Sequence, residues 1–308
     1  MTLATMPPRQ SIIQRQAAAK INLTLHVTGK RADGYHLLDS LIVFAGVGDQ
    51  IQVAPADNLS LELDGPFCEE LAGAGSDDDN LVMRAARMLA SRRENVAAAT
   101  SCKGAHIKLT KNLPIAAGVG GGSADAAAAL DAVSELWGMT LPQSELMALG
   151  LELGADVPAC IAGVPVHVSG IGDQIEPAVD LPAFHLVLVN PRVLLSTARV
   201  FGTLRPETFV AAPPPCPPVA DLGQLVAEIK QRRNDLEAPA LVLVPEIAEV
   251  LKTLADQPGC RMSRMSGSGA TCFGIFADEI SALGAVSSLA KSNPEWWAVS
   301  GPVLGSGI

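Results

Sequence analysis

The run Gly118-Val-Gly-Gly-Gly-Ser123 constrains this chain more than any other feature. Four of the five residues from Gly118 are glycine, and an alanine-rich helical pattern follows directly. Glycine lacks a Cβ, so such a loop reaches left-handed dihedrals and brings its N–H groups close to a bulky anion. A helix starting there turns unpaired amides and the positive end of its dipole to the same point. Gly/Ser linkers are not ordinarily wedged between a strand and an amphipathic helix, so the run reads as a phosphate-binding loop. It is neither of the two commonest kinds: no Lys follows the glycines, and Ser123 stands where a dinucleotide fingerprint needs its third glycine.

A chain of 308 residues, 48% of them apolar, can bury one large core or two smaller ones, and the length favours two. The longest apolar stretches, such as 238–244, are too short to cross a bilayer. Residues 1–16 carry Arg9 and Arg15 without an apolar segment, so a flexible N-terminal extension of a cytoplasmic protein is expected rather than a secretory signal. Six widely spread cysteines with no C-x-x-C pair fit reduced thiols. The net charge of −10 argues against broad nucleic-acid binding. Residues 1–36 nevertheless hold five Lys/Arg against one Asp. That local excess suits a small anionic ligand, although a solvated basic face has the same composition.

Residues 17–27 alternate, with Ile21, Leu23, Leu25 and Val27 on one face and Lys20, Asn22, Thr24 and His26 on the other. This predicts a half-buried strand with a polar face. Residues 29–34 read as a turn, and 37–44 and 106–110 as further strands. A helix is expected over 123–137, ended by Gly138; a second starts with Thr140 as N-cap and stops at Gly154. Then come a strand (185–189), a helix (196–204), a proline-rich loop (211–220), helices near 221–231 and 245–256, and a strand (271–277). Gly46-Val-Gly-Asp-Gln-Ile51 and Gly170-Ile-Gly-Asp-Gln-Ile175 echo one another and read as two strand-edge turns. Strands and helices mix without a βαβ rhythm, which favours α+β over a doubly wound sheet.

Three further features carry chemistry. A strand lysine such as Lys20, taken alone, is solvated or guards an edge. Asp156, just before Val157-Pro158, makes a good helix N-cap. Held rigidly between Gly154 and Pro158, it would alternatively face Lys20 as an acid–base pair. The lysine would then favour a developing alkoxide, and the carboxylate would take its proton or hold the lysine. Ser266-Gly-Ser-Gly-Ala270 is either a hairpin turn or a second backbone loop closing over a triphosphate.

The order A-x-x-K-I-N-L (from Ala17), P-x-x-x-G-x-G-G-G-S-A-D-A-A (from Pro114) and S-G-S-G-A (from Ser266) resembles the three-motif layout of the GHMP small-molecule kinases. That family includes galactokinase, homoserine kinase and mevalonate kinase, and the resemblance runs from about Ala17 to Ala277. It implies a two-domain α+β architecture. An N-terminal half like domain 2 of ribosomal protein S5 (17–175) would meet a ferredoxin-like C-terminal half (176–308), with the active site between them.

Asp33-Gly-Tyr-His36, Leu153-Gly-Ala-Asp-Val-Pro158 and Arg264-Met-Ser-Gly-Ser-Gly-Ala270 resemble the branch whose acceptor is a cytidine-diphosphate-linked polyol. By that resemblance the reaction is ATP-dependent phosphorylation of its 2-hydroxyl in the non-mevalonate isoprenoid pathway. Lys20 and Asp156 would be the catalytic pair, and Asn22 would line the acceptor site. Tyr35 and His36 would meet the cytidine, whose base needs a ring to stack on and edge hydrogen bonds. Pro114, Gly118, Gly120, Gly121, Gly122 and Ser123 would hold the ATP phosphates, Lys111 would sit near the adenine, and Gly267 and Gly269 would approach from the second half. Mg²⁺ would be carried mainly by the nucleotide, with no metal-ligating side chains assigned.

Other family acceptors (homoserine, mevalonate, a sugar) and a non-catalytic ATP-binding sensor remain alternatives. Two departures stand out: Ala116 and Ala117 occupy positions where relatives often have glycine, which stiffens the loop's entry. Asp125 replaces a common Asn, and its charge should turn away from the phosphates.

Overall fold

The computed structural model describes residues 12–73, 79–93 and 103–305. Two sheets organise these residues. The first contains β1 (Ile13–Asn22), β2 (His26–Lys30), β3 (His36–Ala56), β4 (Ser60–Asp64), β5 (Gly104–Thr110), β6 (Val166–Gly170) and β7 (Gln174–Pro177). Its spine is β3, which pairs antiparallel with β1, β2, β5 and β6. The second contains β8 (His185–Asn190), β9 (Met262–Met265), β10 (Cys272–Phe276) and β11 (Trp297–Pro302), antiparallel in the order β11-β8-β10-β9. Helices α1 (Cys68–Ala72), α2 (Leu81–Arg93), α3 (Gly121–Leu136), α4 (Gln143–Leu153) and α5 (Val157–Ala162) fall within the span of the first sheet. Helices α6 (Thr197–Gly202), α7 (Leu222–Lys230), α8 (Glu237–Leu243), α9 (Glu246–Ala255) and α10 (Glu279–Ser292) fall within that of the second. The fold is α+β: the named strands pair antiparallel apart from β4 and β5, which are joined through α1 and α2 and run parallel.

Period-two alternation gives each sheet two apolar faces, and both are used. Ile51, Val53, Ile107 and Leu109 pack against Val82, Ala86 and Leu89 of α2 and Ala129, Leu130 and Val133 of α3. On the other face, Ile21, Leu23 and Val43 meet Leu186 and Leu188 of β8 and Phe273 and Ile275 of β10, so the two halves share one core. The outer face of the second sheet (Val187, Val189, Cys272, Phe276) is covered by Ile247, Val250 and Leu254 of α9 and Ala282 and Leu289 of α10. No helix among the described residues is long and apolar enough to cross a membrane.

Several local expectations change. The first strand begins at Ile13 rather than Ala17, because Ile13–Ala18 already pair with Gly48–Val53 and bury Ile13. Residues 13–16 are therefore strand and not extension; 1–11 lie outside the described residues. The alternation over 17–27 is not one strand: a bulge between Ala18 and Lys20 reverses the faces. Thus Ile13 and Ala17 face the helices while Ala19 and Ile21 face the second sheet. Gly46–Ile51 is the middle of β3 and not a turn, whereas Gly170 and Gly172, both at positive φ, do form the β6–β7 turn. Pro142, not Thr140, is the N-cap of α4. The apolar stretch after Leu236 forms α8, an element the periodicity does not reveal.

Candidate active site

A cavity of about 460 Å³ opens between the two halves. Its floor is the glycine loop. Gly118 and Gly120 sit at φ +76° and +63°, and Gly120 is the N-cap of α3. A Cβ on Gly118 would lie 2.5 Å from the Ser266 carbonyl oxygen and 2.7 Å from the Gly269 nitrogen; one on Gly120 would lie 3.0 Å from the Lys20 Cβ. Glycine at these two positions lets the loop touch both the second loop and the lysine. Having no side chain, Gly120 makes no cap bond, so the first-turn amides of α3 keep the orientation in which an anion would meet them. Ala116 also lies at positive φ (+52°), a conformation that favours glycine and strains an alanine.

The second loop is stitched to the first. Ser266 Oγ donates to the Gly118 carbonyl (3.0 Å) and accepts from the Asn22 amide (3.2 Å). The Thr271 amide donates to the Ala117 carbonyl (3.1 Å), and the Lys20 amide to the Val119 carbonyl (2.9 Å). The 266–270 run is at once the β9–β10 hairpin and the wall closing on the glycine loop. Ser266 is a positioning residue that motif reading passes over.

Lys20 is buried, with 6% of its surface exposed, and Nζ lies 2.8 Å from Asp156 Oδ1. The β1 bulge two residues earlier sets the face on which Lys20 emerges. Asp156 occupies the N-cap position of α5 but makes no side-chain cap bond. Its carboxylate is 47% exposed and turned to the lysine. Asn22 Nδ2 donates to Ser40 Oγ (2.7 Å), which donates to the Thr24 carbonyl (2.6 Å). This fixes the side-chain amide and leaves Asn22 Oδ1 a buried acceptor with no partner among the described residues, in the cavity wall beside Gly267. Such an oxygen is ready to receive a hydroxyl or amino hydrogen from a ligand.

Pro114, Gly118, Gly120–Gly122, Ser123 and Gly267 line the cavity together with Lys20, Asn22 and Asp156. Gly269 does not; it supports Gly118 from behind, and Ser268, whose Oγ is 2.8 Å from Thr197 Oγ1, takes the lining place. Lys111 lines the wall, but its buried ammonium bonds both Asp49 and Asp125, so it is not free to meet an adenine. Tyr35 is 59% exposed and His36 packs on Phe201 (ring centroids 4.9 Å apart) and Phe209 (5.9 Å). Of these four rings only Phe201 lines the cavity. Burial, aided by Lys30, holds the His36 pKa below the usual histidine value, which keeps its imidazole neutral at pH 7. Phe201 carries no sequence signal beyond an apolar position on a short helix. Among the described residues no group of three or more His, Cys, Asp or Glu side chains is arranged to hold a metal ion.

Known proteins resemble the chain over nearly its whole length. Residues 80–164 match the GHMP kinases N terminal domain and 219–295 the GHMP kinases C terminal domain. The chain is 49% identical to the 4-diphosphocytidyl-2-C-methyl-D-erythritol kinase of Paramagnetospirillum magneticum, over 94% of this chain and 98% of that protein. It is 49% identical to the enzyme of that name from Rhodospirillum rubrum, over 98% and 96% of the two chains. A crystal structure of 4-(cytidine 5'-diphospho)-2C-methyl-D-erythritol kinase superposes with a TM-score of 0.72 at 32% identity, covering 96% of this chain and all of that one. Homoserine kinase from Cytophaga hutchinsonii shares the fold at 17% identity (TM-score 0.66; 97% and 96% covered). With both family segments present in order and a glycine-floored cavity between two sheets, the chain belongs to the GHMP kinases and is a small-molecule kinase.

Proposed function

We propose that this kinase transfers the γ-phosphoryl group of ATP to the 2-hydroxyl of 4-(cytidine 5'-diphospho)-2-C-methyl-D-erythritol, in the non-mevalonate route to isoprenoid precursors. The observation that carries the chemistry is the 2.8 Å contact of Lys20 with Asp156 in a cavity floored by free helix amides. The acceptor rests on the names of the near-full-length relatives, and the rings around His36 suit a pyrimidine.

Phosphoryl transfer needs positioning and charge stabilisation more than covalent chemistry. The amides at 120–123 hold the β- and γ-phosphates, whose charge a Mg²⁺ carried by the nucleotide would offset. Asn22 Oδ1 accepts a substrate hydrogen. Lys20 orients the 2-hydroxyl and stabilises the alkoxide that develops, while Asp156 takes its proton. The oxygen–γ-phosphorus bond forms as the bond from γ-phosphorus to the β-bridging oxygen breaks, and ADP leaves. Phe201 and His36, with Tyr35 at the rim, hold the cytosine.

Purified protein given MgATP and a panel of acceptors tests this reading. The cytidyl polyol should show the highest kcat/KM, with a new 2-phosphate ester seen by phosphorus NMR. A better rate with homoserine, mevalonate or a sugar would replace the acceptor, and tight MgATP binding without product would make the protein a sensor. Phe201→Ala is expected to raise KM for the cytidyl acceptor about tenfold to a hundredfold, the effect of losing roughly 1–3 kcal/mol of base stacking. Tyr35→Ala should shift it in the same direction. KM for ATP should stay within about twofold in both variants; an equal rise for ATP and acceptor would count against a base-binding role.

A further inference from the structure

Lys111, Asp49 and Asp125 form a buried cluster directly beneath the glycine loop that phosphate binding leaves unexplained. The ammonium of Lys111 bonds Asp49 Oδ2 and, at 2.7 Å, Asp125 Oδ2. Asp49 is fully committed: its Oδ1 accepts from the Asn112 (2.6 Å) and Leu113 (2.8 Å) amides and so pins the segment entering the loop. Asp125 is not. It is 3% exposed, and its buried Oδ1 has no hydrogen-bond partner among the described residues, although the residue borders the active-site cavity. The cluster lies against the first turn of α3, since a Cβ on Gly121 would sit 3.4 Å from Lys111 Nζ and 3.5 Å from Asp49 Oδ2. With both carboxylates ionised, the cluster carries one surplus negative charge under the turn that meets an anion.

We infer that Asp125 is a positioning residue whose carboxylate takes up a proton from solvent when nucleotide phosphates bind, so that nucleotide affinity is linked to pH through this cluster. This rests on the reading of residues 118–123 as the phosphate cradle.

Charge logic gives the sign. Burial, with Asp49's charge adding to it and Lys111 opposing, pushes the Asp125 carboxyl up to about 8. Burial alone would lower the Lys111 pKa, but the two carboxylates outweigh it, so the ammonium stays charged. Other elements packed on α3 add little. Its contact with α2 is through Val82, Ala86 and Leu89, with Arg84 and Arg87 exposed. On α4, Glu145 and Glu152 pair with Arg92. On β1, Arg15 bonds Asp131 and Glu135 farther along α3, and Lys20 bonds Asp156. On α5, burial pushes the Cys160 thiol far up, so it stays neutral. An arriving polyphosphate then favours the protonated form of Asp125. The group's pKa rises on binding, and affinity falls as pH rises through its value in the free protein.

Calorimetric titration with the magnesium complex of a non-hydrolysable ATP analogue, in paired buffers of unequal ionisation enthalpy, tests this. For an upward shift of about one unit, wild-type protein should take up about half a proton per nucleotide near pH 8.5 beyond that taken up by Asp125→Asn. Wild-type affinity should fall by several-fold to about tenfold from pH 7 to pH 9.5, and the variant's should stay flat across that range. Equal proton uptake and parallel pH profiles in two proteins that both bind would overturn the inference and leave the cradle standing. Failure of wild-type protein to bind would overturn the cradle itself. Carbon-13 NMR of aspartate-labelled wild-type protein needs no variant: a buried carboxyl titrating near pH 8 and moved upward by the analogue supports the inference, and none above pH 6 overturns it.

Discussion

Replacing Asp156 by Asn is expected to lower kcat by roughly 10²–10⁴-fold, the usual contribution of a positioned general base, while the Kd for MgATP stays within a few-fold. The variant has nearly the same shape but cannot take a proton. The wild-type Asp156 carboxylate lies 2.8 Å from Lys20 Nζ and contributes no hydrogen bond to the start of α5. The helix therefore loses no cap, and thermal stability should change little. A capping aspartate would instead leave turnover intact, since asparagine caps a helix as well as aspartate does. Measuring kcat, MgATP binding and melting temperature on one preparation separates the two roles. Unchanged turnover would remove Asp156 from the chemistry.

Gly118→Ala should be the most damaging single methyl group in the cavity floor. The new Cβ would meet backbone on two sides, 2.5 Å from the Ser266 oxygen and 2.7 Å from the Gly269 nitrogen, at a φ of +76° that disfavours alanine. Backbone cannot rotate away as a side chain can. Left-handed strain and overpacking together predict a loss of roughly 2–4 kcal/mol in stability. MgATP affinity should fall at least about tenfold as the two loops part. Gly284→Ala in α10 is the control, since its Cβ would meet nothing within 4 Å. That helical substitution should be neutral or stabilising by up to about 1 kcal/mol. Chemical denaturation of both variants checks the contrast; similar stabilities would mean that the loops are not held together at Gly118.

The parts of this site legible in the sequence are those whose chemistry is local. Glycines at 118 and 120–122 announce a loop because their backbone freedom is a property of the residues themselves. The helices expected from 196 and near 221 likewise start at caps that act within one turn, Ser196 and Asp221. What escaped reading depends on who meets whom. Asp49 looked like part of a turn because Gly46 and Gly48 flank Val47, but β3 runs straight through them, and its carboxylate captures Lys111. That ammonium bonds two carboxylates in the cavity wall, a pairing the spacing of the three residues does not announce. The bulge between Ala18 and Lys20 leaves no mark on a pattern of alanines, yet it decides which face Lys20 shows. Phe201 and Phe209 become neighbours of His36 only when the second half folds over the first. The convergence of Lys20 on Asp156 stands in the sequence only as an alternative to a helix cap, which family resemblance favours, since nothing in the spacing of the two residues requires it.

A crystal structure with a non-hydrolysable ATP analogue and the cytidyl polyol tests the central claim most directly. The account expects the triphosphate on the amides of residues 120–123, the γ-phosphorus about 3–3.5 Å from the 2-hydroxyl oxygen, and both Lys20 Nζ and Asp156 within hydrogen-bond reach of that hydroxyl. A triphosphate bound away from the glycine loop, or a 2-hydroxyl touched by neither side chain, would contradict it.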